Sequence, residues 1–464
     1  MGGRYQAYPE YKGSGVEWLG DVPERWELVP LKFLCAVQTG VTLGKDFGVR
    51  ELECRPYLRV ANVQDGYLDL SAITEIELPP NDVCRYELQE GDVLMTEGGD
   101  FDKLGRGYIW EGQISGCLHQ NHIFAVRPNR NKLVSRFLAA VLSSTHGKNY
   151  FTSTAQKTTN LATTNSTKLN NFPVQLPNTL QEQNAIVAFL DYETAKIGAL
   201  IEKQQQLIKL LKEKRQAVIS HAVAKGLDPD APMKDSGVEW LGEVPEHWDI
   251  RTVAHSSKKI TNGYVGPTRD ILVDEGVSYV QATHIKKGKV NFDDAYFVRK
   301  SWSDAHSKSI LEKGDVLIVQ TGAGTGDIGL VSEKEEGFNC HALIIVQPIK
   351  TVISGFYLSM ALQSQYGYSK LYSIRTGGMH PHLNCSEVQY VKLPIPPIVE
   401  QNQITSFIEE QIGQFDMLVG KQLEAIDLMQ ERRTALISAA VTGKIDVRNW
   451  KAPKQVNNKR ERTQ

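Results

Sequence analysis

The sequence predicts an α+β protein: two similar mixed α/β domains separated by two long helices that pack as an antiparallel coiled coil, in a pseudo-twofold internal duplication. Three observations carry that expectation. The segment Ser14-Gly-Val-Glu-Trp-Leu-Gly-Asp-Val-Pro-Glu-Arg-Trp-Glu27 returns as Ser236-Gly-Val-Glu-Trp-Leu-Gly-Glu-Val-Pro-Glu-His-Trp-Asp249, identical at 11 of 14 positions. Each copy ends in a run of good helix formers with apolar residues on heptad rows. Between the repeated arm and that run lie short β-branched stretches bounded by Gly, Pro or Asp, the pattern of strands.

The duplication sets the organisation. Tyr57-Leu-Arg-Val-Ala-Asn-Val-Gln-Asp-Gly66 lines up with Tyr279-Val-Gln-Ala-Thr-His-Ile-Lys-Lys-Gly288, and Gly91-Asp-Val-Leu94 with Gly314-Asp-Val-Leu317. A period above 200 residues lies far outside the ~20–50 of solenoid repeats, so the chain holds two copies of a large unit. The expected divisions are a repeated arm at 1–26, a first domain at 27–178, a central helix at 179–226, a linker repeating the arm at 227–248, a second domain at 249–394, a C-terminal helix at 395–445 and a basic tail at 446–464.

Within each domain, strands are expected at 57–63, 92–95 and 123–126, and at 277–285, 315–319 and 343–346. Helices are expected at 135–150 and 354–371, each opening at a serine with apolar residues three and four apart. Leu176-Pro177 and Leu393-Pro394 close the domains, and Glu182-Gln183-Asn184 matches Glu400-Gln401-Asn402 where the long helices begin.

The first helix sets Leu190, Ile197, Gln204, Leu211 and Val218 on one row, with Ile201, Ile208, Arg215 and Ala222 beside it. The second sets Ile408, Phe415, Gln422, Met429 and Leu436 on one row, with Val419, Ile426, Arg433 and Ala440 beside it. Such a stripe could be core packing inside a single domain; the duplication favours pairing, because each seam needs a partner and the other copy supplies one. Gln204 and Gln422 share a seam position, where an amide costs stability and can fix register if it pairs. A rod of roughly 40 residues at ~1.5 Å each is about 60 Å long.

Composition narrows the chemistry. The chain has 464 residues, 41% hydrophobic and 23% charged, ordinary for a globular protein of more than one domain. Lys and Arg total 52 against 54 Asp and Glu, so any nucleic-acid contact must rest on local basic patches rather than on net charge. Six cysteines, Cys35, Cys54, Cys84, Cys117, Cys340 and Cys385, form no C-x-x-C pair, which speaks against a zinc ribbon, a redox motif or a disulfide framework. No apolar run approaches the ~18 residues of a membrane span, and reduced thiols in a cytoplasmic protein of a bacterial or archaeal cell are the expectation.

The sequence carries no catalytic motif of the expected kinds. Pro79-Pro80 and Pro396-Pro397 lack the [Asn/Asp]-Pro-Pro-aromatic arrangement that holds a target adenine amine. Gly322-Ala-Gly-Thr-Gly326 is followed by strand-like residues instead of a helix whose N-terminus could hold a phosphate, and no Gly-Lys pair has the flanks of a P-loop. His119-Gln-Asn-His122 and His380-Pro-His382 have no partner ligands at zinc-site spacing and read as loop or core histidines. No metal site and no catalytic residue is expected.

Through its repeated Trp arm, the Tyr57–Gly66 segment, Gly-Asp-Val-Leu and Leu-Pro…Glu-Gln-Asn, the chain resembles the DNA-specificity subunit of Type I restriction-modification systems from about Tyr8 to Asp446. The resemblance implies two target-recognition domains, each reading one half of a bipartite site on double-stranded DNA, with the helices as a ruler. It also implies two methyltransferase (M) subunits docked along the helices, restriction (R) subunits joining the complex, and S-adenosylmethionine, ATP and Mg held by those partners. The chain itself would be non-catalytic.

For the first domain the candidate DNA contacts are Arg50, Arg55, Arg59, Asn62, Lys103, Arg106, His119, Gln120, Asn121, Lys157, Thr158, Thr159 and Asn160. For the second they are Arg269, Gln281, His284, Lys286, Lys287, Lys289, Gln320, Thr321, Arg375, His380 and His382. These side chains suit phosphate contact or base-edge hydrogen bonding, and the stretches 155–160 and 375–382 carry most weight. The tail residues Lys451, Lys454, Lys459, Arg460 and Arg462 are expected to be solvated. Two other readings, a coiled-coil adaptor with no DNA role and an autonomous DNA-modifying enzyme, predict salt-insensitive partner binding and activity of the isolated chain, respectively.

Overall fold

The computed structural model describes residues 5–42, 44, 51–99, 104–157, 162–292, 296–377 and 381–453. It divides into two compact units, one of 1–204 with 424–464 and one of 205–423. Each unit therefore takes one domain, part of the first long helix and part of the second.

Both domains are built on the same antiparallel sheet. In unit 1 the strand order is Cys35–Thr39, Ile123–Pro128, Val93–Thr96 and Gly107–Ile109. In unit 2 it is Ser257–Asn262, Leu343–Pro348, Val316–Val319 and Ile328–Leu330, extended by Gly288–Val290 and Ile285–Lys286. The repeated Gly-Asp-Val-Leu opens the central strand in each. Gly91 (φ 93°) and Gly314 (φ 94°) sit in the left-handed region that favours glycine, and the next aspartate caps the turn. Asp92 accepts from the Gln89 amide at 2.8 Å, Asp315 from the Glu312 amide at 2.9 Å. Asp92 is fully buried and paired with Arg127 at 2.7 Å, while Asp315 meets the neutral amide of Gln347 at 3.3 Å and burial raises its pKa.

Two expected strands are shorter than the apolar runs suggest. The run at 57–63 ends its strand at Leu58 and turns through a 3-10 helix at Val60–Asn62; the run at 277–285 does the same at Val280 and Ala282–His284. The cause is a side-chain cap: Asn62 Oδ1 accepts from the Arg59 amide at 2.8 Å, and His284 Nδ1 accepts from the Gln281 amide at 2.9 Å. One turn is thus closed by different side chains in the two copies.

The expected single helices at 135–150 and 354–371 are each broken into two, Ser135–Ser143 with Thr145–Thr154 and Gly355–Gln363 with Gln365–Ser373. Ser144 and Ser364 are extended at the corner and cap the next helix through the amides of Gly147 and Gly367. A Cβ on Gly147 would lie 2.2 Å from the Leu142 carbonyl oxygen, and one on Gly367 2.2 Å from that of Ala361, so the corner closes only over glycine.

The long helices run Leu180–Lys225 and Ile398–Val441. In unit 1, Ile186, Phe189, Leu190 and Ile197 share a core with Leu436, Ala440 and Val441, with Met429 packed on it. In unit 2, Ile219, Ala222 and Val223 share a core with Ile404 and Ile408. The start of one helix lies with the end of the other in each unit, so the pair is antiparallel. Phe415 and Ile426 are buried as well, whereas Leu211, Val218, Gln204 and Gln422 are half-buried. Gln204 Oε1 is buried without a hydrogen-bond partner among the described residues. Arg215 reaches Asp416 at 3.9 Å and Arg433 is exposed, so the adjacent rows are less apolar than the seam.

The repeated Glu-Gln-Asn fastens each helix start to its domain. Gln183 accepts from the Val134 amide at 2.9 Å and donates to the Lys132 carbonyl at 3.0 Å; Gln401 accepts from the Ser354 amide at 2.9 Å and donates to the Val352 carbonyl at 2.8 Å. Residues 446–450, expected as the start of a free tail, are held on unit 1: Val447 is buried, Trp450 meets Phe189 edge-on at 5.4 Å, and the Asp446 amide bonds to Gln6. Lys451 is exposed; Lys454, Lys459, Arg460 and Arg462 lie outside the described residues.

Candidate nucleic-acid interface

In unit 2 the fold gathers Gln320, Thr321, Arg375 and His382. The strand Val316–Val319 ends beside the return segment after Gln365–Ser373, and backbone bridges tie His382 to both Thr321 and Thr376. Thr321 Oγ1 lies 2.8 Å from His382 Nδ1, and Gln320 Nε2 3.4 Å from His382 Nε2. Arg375 lies with its guanidinium 4.7 Å from the Tyr372 ring centre and 6.0 Å from that of Tyr368, and donates to the Thr325 carbonyl. Asp327 stands near it, its pKa raised by burial and drawn back by the arginine charge. Tyr368 and Tyr372 are exposed and stacked on each other at 6.4 Å; in the sequence their only trace is an i, i+4 tyrosine pair before an arginine.

A second group lies on the hairpin of Ile285–Lys286 and Gly288–Val290, where Lys286, Lys287 and Lys289 are all exposed and Lys287 takes φ 51° at the turn. Arg269 is exposed on the preceding loop. Three exposed ammonium groups within four residues suit phosphate contact.

Unit 1 offers fewer described candidates. Arg59 is exposed, and Asn121 is half-buried with its amide 3.4 Å from His122, which pairs with Glu97 at 2.6 Å. Arg106 is half-buried beside the strand Gly107–Ile109. Arg55 is engaged with Glu53 at 2.6 Å. Gln120 turns its amide oxygen to the Val60 amide at 3.1 Å. Arg50, Lys103, Thr158, Thr159, Asn160 and, in unit 2, His380 lie outside the described residues, as does the side chain of Lys157.

Four candidates serve the fold. His119 is fully buried and bonds the Ile123 carbonyl through Nδ1 at 3.0 Å; burial pushes its pKa down to about 4, so the ring is neutral. Asn62, besides capping, donates to the carbonyls of Asp69 and Ala72 at 2.9 and 3.0 Å. His284 is 3% exposed, and Gln281 provides the amide that His284 caps. A base edge cannot reach a side chain that the protein interior covers, so Asn62, His119 and His284 leave the set, Gln281 is assigned to the turn, and Gln320, itself 6% exposed, stands against His382 rather than meeting a base.

Among the described residues no group of three or more His, Cys, Asp or Glu is placed to hold a metal ion. The Gly322–Gly326 segment closes on itself, Gly326 donating to the Val319 carbonyl at 2.8 Å, and leads into strand Ile328–Leu330, so no helix N-terminus faces it. No described helix is long and apolar enough to cross a membrane.

Comparison with known proteins gives one answer. Residues 23–210 and 248–427 each match the family described as Type I restriction modification DNA specificity domain. A putative type I restriction enzyme MjaX specificity subunit of Methanocaldococcus jannaschii is 25% identical over 449 residues, covering 96% of this chain and 99% of that protein. The type I restriction enzyme EcoBI specificity subunit of Escherichia coli is 24% identical over 280 residues, 59% of this chain and 58% of that one. Among solved structures, a chain from a study of type I R-M complex assembly and conformational transition superposes with a TM-score of 0.67 at 16% identity, covering 91% of this chain and 99% of that chain.

Proposed function

We propose, for a chain that belongs to the Type I restriction-modification DNA specificity family, that each of its two domains reads one half of a bipartite site on double-stranded DNA. Such a specificity chain recognises DNA and leaves catalysis to other subunits. The domain of 27–178 takes one half-site and that of 249–394 the other. The observation that supports this most is a shared backbone frame carrying unlike edges: the strand order, capped turn and serine corner recur, while the central strand runs on into Glu97 and Gly98 in unit 1 and into Gln320 and Thr321 in unit 2.

Holding two readers on one pair of helices makes the second contact intramolecular, so two weak half-site affinities combine into one strong one. The helix pair sets the distance between half-sites and docks two methyltransferase subunits, through which restriction subunits join. S-adenosylmethionine, ATP and Mg are then bound by those partners. Arg375, His382 and Thr321 reach base edges in this reading, and Lys286, Lys287 and Lys289 neutralise phosphates.

The test is an exchange of residues 27–178 for the corresponding domain of a relative, followed by mapping of modified adenines. A change confined to one half of the recognised sequence is expected; an unchanged site overturns the assignment. The adaptor reading instead requires partner binding without a DNA footprint.

A further inference from the structure

The turn Gly322-Ala-Gly-Thr-Gly326, which follows the central strand of unit 2, is locked in place. The Gly326 amide bonds the Val319 carbonyl at 2.8 Å, and the Val319 amide bonds the Asp327 carbonyl at 2.9 Å. The hydroxyl of Thr325, a residue only 2% exposed, lies 2.6 Å from the Gly322 carbonyl and 3.1 Å from that of Pro381, which fastens the turn to the segment carrying His382.

Two of its glycines leave room for two charged side chains. A Cβ on Gly326 (φ 92°) would lie 2.7 Å from Arg375 Nη2, and one on Gly324 would lie 2.8 Å from Asp327 Oδ2. Arg375 is held by the Thr325 carbonyl and the Tyr372 ring. Asp327 is exposed, and its carboxylate accepts no hydrogen bond and joins no ion pair among the described residues, although the charge of Arg375 favours its ionised form. Phosphates repel a bare carboxylate, so on a surface that meets DNA its place calls for a hydrogen-bond donor on a base.

Strand register locates this carboxylate within the repeat. Val93 pairs with Ile109 and Val316 with Leu330, so Gly107 corresponds to Ile328, and the residue before it, Arg106, corresponds to Asp327. The same backbone bond marks the rung in unit 1, from the Thr96 amide to the Arg106 carbonyl at 3.0 Å. One backbone position therefore carries a guanidinium, which only donates, in one copy and a carboxylate, which only accepts, in the other.

Base chemistry selects what each can meet. In the major groove both cytosine and adenine offer an amine, but the N7 lone pair beside the adenine amine repels a carboxylate, whereas cytosine presents its N4 donor alone. Guanine offers two acceptors, O6 and N7, to an arginine. We infer that Asp327 is a specificity-determining residue that accepts a hydrogen bond from the N4 amine of a cytosine in the half-site of unit 2, and that Arg106 fills the same rung in unit 1 by donating to a guanine. The inference rests on the proposed reading of one half-site by each domain.

The experiment uses the full chain assembled with its methyltransferase subunit. Competition binding is measured against duplexes in which each base pair of both half-sites is varied in turn, with thermal melting as a fold control. Asp327→Asn keeps the side-chain shape and adds a donor. It is expected to lose about 10- to 100-fold of discrimination at one cytosine of the unit 2 half-site, with the preference moving toward adenine, and to bind unrelated DNA no more weakly than the wild type. Arg106→Gln is expected to lose a similar factor at one guanine of the other half-site. Variants that melt with the wild type and discriminate as before, that weaken all duplexes alike, or that lose discrimination at some other base overturn the inference and leave the half-site reading standing. A wild-type complex that binds every duplex equally overturns that reading itself.

Discussion

The indole of Trp26 donates to the carboxylate of Glu182 at 3.0 Å, and the second copy repeats that bond between Trp248 and Glu400 at 3.1 Å. Each pair joins a repeated arm to the first turn of a long helix, so the two most legible motifs of the sequence are halves of one contact. The second acceptor bond differs: Tyr8 donates to Glu182 at 2.7 Å, and His247 Nε2 lies 2.8 Å from Glu400.

Glu182→Ala leaves the Trp26 N–H and the Tyr8 hydroxyl without their acceptor in a covered site, which costs about 2–4 kcal/mol. Hydrogen exchange should show the loss in unit 1, around 5–30 and 180–190, with the amides of unit 2 protected as before.

Arg127→Ala strips the ion-pair partner from buried Asp92, which Arg127 holds through two bonds at 2.7 Å. An uncompensated buried carboxylate costs about 3–5 kcal/mol. Gln347→Ala, which removes a neutral amide from Asp315, should cost less in denaturant unfolding. Equal losses would show that the charge on Arg127 is irrelevant.

His119 makes stability depend on pH. Its folded pKa of about 4 lies below the ordinary 6.5, so the unfolded chain takes up a proton first as pH falls. Its contribution is whole above pH ~6.5 and is lost between there and pH ~4, on the order of 3 kcal/mol in all. Melting curves of His119→Asn should fall less steeply across that window than those of the wild type.

Arg375→Ala should relax discrimination at one position of the half-site read by unit 2 by about 10- to 100-fold, with the other half-site unaffected. Replacing Lys286, Lys287 and Lys289 together by Gln should weaken binding to all sequences and reduce the slope of affinity against salt. Competition binding with half-site variants by the assembled complex distinguishes the two effects.

Inserting one heptad in both long helices preserves the apolar rows and adds about 10 Å of rod. Mapping of modified adenines should then find a longer gap between half-sites and unaltered halves. An unchanged gap would show that the helices do not set the spacing.

The duplication, the two long helices and the apolar rows that pair them were legible in the sequence because each is a periodic signal, written in the order of residues along the chain. Leu190, Ile197, Ile408 and Leu436 follow directly from heptad spacing and are buried. What lies inside each domain depends on neighbours distant in sequence. A Cβ on Gly40 would meet the His119 carbonyl at 1.9 Å, so that glycine lets the two strands close and buries the ring. Asn62 and His284 have the chemistry of base-reading side chains and became caps, because the amides of Arg59 and Gln281 needed an acceptor at a strand's end. The gathering of Thr321, Arg375 and His382 was likewise a tertiary decision: sixty residues part the strand from the returning loop, and only the sheet brings them together.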